Sequence, residues 1–156
     1  MLLRMLPVFI VQSVLQKATI LNNDNNLKLK EYLNYFYKRG LTITLIVGVL
    51  FAFCSEWIIV IFAGEEIRYS SKILSLLSFV PFLAMLNFKN ILIILIDEKK
   101  EILNKATWIS AFFMIVISFI LTYLFGGVGL AFSLLVSEII SFFVHFFLLS
   151  KNNVKK

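Results

Sequence analysis

From Ala106 through Ser137 the chain carries no charged residue, a run that no soluble fold of this size accommodates. It is longer than the ~20 residues one helix needs to cross a bilayer and shorter than two such helices end to end. Gly126 and Gly127 divide it, and a glycine pair is where backbone reverses at least cost. The run therefore predicts a helix over 106–125, a turn, and a second helix over 128–149. Two further stretches have spanning length, Leu41 to Ala63 and Ile73 to Ile96, the latter interrupted by Asn87, Lys89 and Asn90. Lipid offers no partners to backbone N–H and C=O groups, so each span must be helical, and short connections make neighbouring spans antiparallel. Composition agrees. The 156 residues are 60% hydrophobic, include 17 Phe, and are only 15% charged, against ~25% charged in soluble domains. A chain this short cannot hide so many large apolar side chains in a core of its own. The predicted architecture is one all-α integral membrane unit over 1–156, an antiparallel bundle of four transmembrane helices preceded by a partial helix.

Orientation follows from Lys and Arg in the short connections. Lys17, Lys28, Lys30, Lys38 and Arg39 precede the first span, Lys99, Lys100 and Lys105 separate the second and third, and Lys151, Lys155 and Lys156 follow the fourth. The opposite face holds Arg68 and Lys72. Both ends of the four-helix unit are therefore expected to be cytoplasmic, with a linker over 21–40 and a tail over 150–156. The net charge of +6 does not point to nucleic acid, because these cations lie between apolar runs instead of along one face. The first segment, over 1–20, is apolar but short. From Leu2 to Val14 it reaches only ~20 Å against a ~30 Å hydrocarbon core. A signal peptide is the competing reading, yet Gln12 and Gln16 interrupt the core and no small-residue cleavage site follows. A helix lacking its first half fits better, which makes the chain the C-terminal portion of a larger polytopic protein.

Ionisable groups within a span cost ~2.5–3.5 kcal/mol each on insertion scales and so mark functional candidates. Glu56 lies about two turns from the outer end of its span beside Trp57, equally consistent with a lumen or an interface. Lys89 lies within snorkelling reach of the cytoplasmic headgroups, but Asn87 and Asn90 flank it, three apart on one face, and two carboxamides ask for protein or water partners. Glu138 sits near the middle of the fourth span and favours the bundle interior. Ser141 and His145 follow it on nearly the same face; His145, close to the boundary, reads as an interfacial imidazole. Ser133, Ser137 and Ser141 recur every four residues, a packing stripe. No catalytic constellation is present: there is no phosphate-cradling glycine loop, no HExxH and no nucleophile set. One His and one Cys, Cys54, leave no metal site to build, and no cofactor or enzymatic activity is expected.

The stretches Trp57 to Ser71 (WIIVIFAGEEIRYSS), Lys72 to Leu95 (KILSLLSFVPFLAMLNFKNILIIL) and Phe125 to Glu138 (FGGVGLAFSLLVSE) resemble the C-terminal helices of bacterial O-antigen flippases, polysaccharide-export members of the multidrug, oligosaccharidyl-lipid and polysaccharide flippase superfamily. Phe62, Ala63 and Gly64 stand where that family closes a helix, with Tyr69 and Ser70 opening the next. Gly126, Gly129, Ala131, Ser137 and Glu138 match its pattern near the last helix. Pro7, the polar run after it and LKEYLNYFYKR look like the family's helix end and cytoplasmic linker. The resemblance implies part of the C-terminal lobe of a twelve-helix transporter in the bacterial inner membrane. Such proteins move undecaprenyl-diphosphate-linked oligosaccharide repeat units between leaflets for O-antigen and lipopolysaccharide synthesis. It also implies partners: the lipid-linked oligosaccharide, membrane lipids, the N-terminal lobe of the same transporter, and a polysaccharide polymerase. Lys89 then becomes a candidate for the diphosphate or an acidic sugar, Asn87 and Asn90 for sugar hydroxyls, and Glu138 for proton coupling or lobe packing. The competing readings are a self-contained four-helix multidrug exporter that uses Glu56 as its membrane acid, a pore-forming protein, and a scaffolding subunit without transport.

Overall fold

The computed structural model describes residues 14–21 and 26–153, and every regular element among them is a helix. The segment 14–21 is helical (α1). It is followed by α2 (Asn26–Phe53), α3 (Ser55–Ala63), α4 (Arg68–Leu77), α5 (Val80–Ile96) and α6 (Lys100–Asn153). The first half of the partial helix expected over 1–20, and the last residues of the tail, lie outside the described residues. Three helical stretches are long and apolar enough to cross a membrane: Leu27–Phe53, Arg68–Ile96 and Lys100–Lys151. Their outward faces are apolar and bare. Phe62 is 86% exposed and Tyr123 84% exposed, and Phe53, Trp57, Trp108 and Phe119 are similarly bare. Soluble monomers do not present apolar surface on this scale.

α6 is not one rod. Gly126 has φ 61° and ψ −139°, a conformation that side-chain-bearing residues rarely adopt. The hydroxyls of Ser118 and Ser133 lie 2.8 Å apart, whereas fifteen residues of unbroken helix would separate them by ~22 Å. The chain therefore folds back at Gly126 into a helical hairpin of 100–125 and 127–153, as the glycine pair predicts. The two halves approach so closely that a Cβ on Gly129 would run into the carbonyl oxygen of Leu121. Tyr69 latches the turn from outside: its hydroxyl donates to the Phe125 carbonyl at 3.4 Å and accepts from the Val128 N–H at 3.3 Å.

The remaining register comes from three pairs. Leu33 and Leu92 share an apolar cluster with Val14 and Ala18; higher up, Gly40 faces Met85 and Gly48 faces the Ser78 carbonyl. As numbers rise on α2 they fall on α5, so the two are antiparallel. Gly127 meets Ile73 and Ser141 meets Asn87, so the second half of α6 runs parallel to α4 and α5. This topology places Lys28, Lys30, Lys99, Lys100, Lys105 and Lys151 toward one end and Arg68 and Lys72 toward the other, with Lys38 and Arg39 midway along α2, level with Met85. The charge asymmetry of the sequence is thus a charge asymmetry of the fold.

Three local details differ from the sequence expectation. α2 begins at Asn26, within the segment expected to be a linker, because Tyr32 and Phe36 pack against the Leu33–Leu92 cluster. The second rod begins at Arg68, ahead of Ile73, and breaks at Ser78 and Phe79. Pro81, in the first turn of α5, has no N–H to continue the ladder of α4. The single span expected over 41–63 is interrupted at Cys54, which separates α2 from α3; α3 then closes at Gly64 (φ 75°), whose N–H donates to the Val60 carbonyl at 2.9 Å, where the span was expected to end.

Candidate binding site between α5 and α6

α5 turns Asn87 toward the second half of α6. Its Nδ2 donates to Ser141 Oγ at 2.9 Å and stands 3.4 Å from His145 Nδ1. His145 Nδ1 is 2.8 Å from the Ser141 carbonyl oxygen. A carbonyl only accepts, so the ring proton resides on Nδ1 and a neutral imidazole keeps a lone pair on Nε2. Asn87 and His145 are each only 3% exposed. Asn87 Oδ1, His145 Nε2 and Ser110 Oγ are buried and have no hydrogen-bond partner among the described residues. Each such orphan costs ~1–3 kcal/mol of desolvation, which a fold selected only for stability would avoid.

These residues line an open cavity of about 490 Å³ between α5 and both halves of α6. Its polar wall consists of Asn87, Ser110, Ser137, Glu138, Ser141 and His145, and Phe88 and Met114 contribute apolar area. Glu138 is half-buried and makes no ion pair among the described residues. The serine stripe is largely inward-bonded: Ser133 Oγ donates to the Leu130 carbonyl at 2.7 Å and Ser137 Oγ to that of Leu134 at 2.8 Å. Back-bonding of this kind satisfies a hydroxyl locally and lets helices approach.

Lys89 does not join this group. Two residues along a helix is a rotation of ~200°, so Lys89 faces α2, where Nζ donates to Asn34 Oδ1 at 2.7 Å and lies 5.7 Å from the Tyr37 ring centroid. Asn90 has a buried Nδ2 without a partner and is not part of the cavity wall. Glu56 is exposed on a separate cavity of about 510 Å³ beside Arg68, Lys72 and Ser71, toward the opposite end of the molecule. Of the five residues singled out in the sequence, the fold therefore brings Asn87 and Glu138 together and leaves Lys89, Asn90 and Glu56 elsewhere. It adds Ser110, Ser141 and His145. His145, read from its position near the helix end as an interfacial imidazole, is buried against Asn87. The spacing of Glu138, Ser141 and His145 at i, i+3 and i+7 was the available signal. Among the described residues no three His, Cys, Asp or Glu side chains gather as a metal site would require. Comparison with protein-family models, with curated proteins and with solved structures finds no match to the chain, so its reading rests on this geometry and on the sequence.

Proposed function

We propose that the chain is part of a multi-pass transporter of the bacterial inner membrane, one that passes undecaprenyl-diphosphate-linked oligosaccharide between leaflets for O-antigen and lipopolysaccharide synthesis. The observation that carries this reading is the placing of Asn87, Glu138, Ser141 and His145 on one largely apolar cavity, between helices whose outward faces are aromatic and aliphatic. Ionisable and carboxamide groups at such a depth are expensive unless they serve a polar solute or a water-filled path, and the orphaned acceptors have the chemistry for sugar hydroxyls. The identity of the solute comes from the flippase resemblance. In this reading the cationic end faces the cytoplasm. Asn87 serves the sugar, Glu138 serves coupling or lobe packing, and Asn90, which the resemblance also offered to the sugar, stands apart from the cavity. Lys89 uses one ammonium donor on Asn34 and keeps two for a diphosphate arriving at headgroup level. The N-terminal lobe of the same transporter and a polysaccharide polymerase are the partners proposed with it. Deleting the coding sequence tests the reading. Cells should lose surface polysaccharide and accumulate lipid-linked repeat units on the inner leaflet, the wild-type sequence should restore export, and Glu138→Ala at equal protein level should not. Unchanged surface polysaccharide in the deletion strain would contradict it.

A further inference from the structure

The cavity between α5 and the two halves of α6 has a chemical bias that the transporter reading does not specify. Of its three unpartnered buried atoms among the described residues, two are acceptors only, and the third, Ser110 Oγ, is a hydroxyl that accepts as well as donates. The His145 ring proton is committed to the Ser141 carbonyl at 2.8 Å, leaving the Nε2 lone pair. Asn87 commits its Nδ2 to Ser141 Oγ at 2.9 Å, leaving Oδ1. Both side chains are 3% exposed and neither leftover atom has a partner among the described residues. Ser137, the next polar residue in the wall, donates its proton to the Leu134 carbonyl. Among the described residues no Lys or Arg lines the cavity and Glu138 is its one carboxylate, while Lys89 is held on the far side of α5 by Asn34.

We infer that this cavity takes a group rich in hydrogen-bond donors and prefers one bearing an ammonium, so that an amino sugar is favoured over a sugar acid. An ammonium carries three N–H donors and no acceptor. It offers a donor to each of Nε2, Oδ1 and the Glu138 carboxylate, the last through a charge-assisted bond. A sugar carboxylate would set acceptors against acceptors and a negative charge beside Glu138, with no cation in the wall to offset it. A neutral hydroxyl lies between, since it pairs with either lone pair without the charge. The inference rests on the transporter reading only in assuming that a sugar-bearing solute reaches the cavity.

The sole histidine of the chain supplies the probe. The full chain, labelled with ¹⁵N-histidine in detergent micelles, gives a single imidazole whose Nε2 resonance reports directly on whether that atom accepts a hydrogen bond. It is titrated with glucosamine (amine protonated), glucose and glucuronate, sugars that present an ammonium, a hydroxyl or a carboxylate. The free protein should show the proton on Nδ1 and a bare Nε2. Glucosamine should shift Nε2 saturably with an affinity about tenfold tighter than glucuronate, the size of one charge-assisted hydrogen bond, and glucose should fall between. Glu138→Gln should remove most of the advantage of glucosamine over glucose, and Asn87→Leu should weaken both. A proton on Nε2 in the free protein, glucuronate binding as tightly as glucosamine, or no saturable shift with any of the three would overturn the inference. A reversed order in a protein whose deletion still abolishes surface polysaccharide sinks the ammonium preference and leaves the transporter reading standing. Saturable glucosamine binding in a chain whose deletion leaves polysaccharide intact does the opposite.

Discussion

The two sides of α5 are built on different principles. Toward α2 it is packed and paired: Leu92 meets Leu33, the rings of Phe88 and Phe36 lie 5.7 Å apart, and Lys89 reaches Asn34 at 2.7 Å. Toward α6 the same helix borders a cavity and keeps Asn87 Oδ1 buried without a partner. Dry packing and a satisfied cation serve assembly. Orphaned acceptors beside a cavity oppose stability, and a fold retains such groups where a solute is bound. One 17-residue helix thus carries a packed face and, in the proposed reading, a solute-facing one, set about half a turn apart.

The comparison is most vulnerable at the hairpin that forms two of the cavity walls. Gly129→Ala drives a Cβ into the Leu121 carbonyl, backbone against backbone, and is expected to cost about 2–3 kcal/mol. Unfolding of the purified chain in detergent measures the loss, and a neutral result would mean that the halves of α6 are not so closely packed. On the α2 side Gly48→Ala places a Cβ 2.8 Å from the Ser78 carbonyl oxygen, and the break at Ser78 and Phe79 gives the backbone some room to move. The expected loss is about 1–2 kcal/mol, without the change at the His145 resonance that Gly129→Ala should bring. Equal spectral effects from both glycines would erase the distinction between the two sides.

Lys89→Ala removes the bond to Asn34 and is expected to cost about 1.5 kcal/mol, the lower end of the range for hydrogen bonds to charged groups because the site is half-buried. In cells it should abolish surface polysaccharide at equal protein level, with Lys89→Arg retaining part of the export because the charge survives. Export that falls only in step with protein level would reduce Lys89 to a tie between helices. The smallest stability change is expected in the turn joining α5 to α6. Glu98 sits at φ 54°, where a side chain costs about 1 kcal/mol or more. Glu98→Gly should therefore stabilise the chain by about 0.5 kcal/mol after the entropy of the glycine is counted, shifting neither face.

Much of the fold was legible in the sequence because lipid reduces the problem to length and charge. The uncharged run split by Gly126 and Gly127 gave the hairpin, and the grouping of lysines anticipated their gathering at one end. The start of α2 at Asn26 was hidden because Lys28, Lys30 and Glu31 look like a solvated linker until their apolar neighbours find α5. The break before Pro81 was visible in principle, since a proline cannot donate to the preceding turn. The separation of Lys89 from Asn87 was also legible from two residues of helical rotation, and their nearness in sequence concealed it. What no periodicity contains is the pairing of Asn87 with Ser141 and His145. It depends on the register between two helices more than fifty residues apart, fixed by the Gly126 turn, the Tyr69 latch and the close approach at Gly129.

The central claim is that the α6-facing side of α5 is kept polar for a solute and at no benefit to the fold, and Asn87→Leu tests it most directly. The substitution removes one bond to Ser141 Oγ, whose hydroxyl can turn back to its own helix, and it removes the unpartnered Oδ1. When a bond and an orphaned acceptor disappear together, stability should change by less than about 1 kcal/mol. Unfolding in detergent and surface polysaccharide are measured on the same variant. The expected result is an unfolding midpoint at or near that of the wild type, with export lost at equal protein level. A midpoint lowered by more than about 2 kcal/mol, with export falling only as the protein disappears, would show Asn87 to be structural and would contradict the claim.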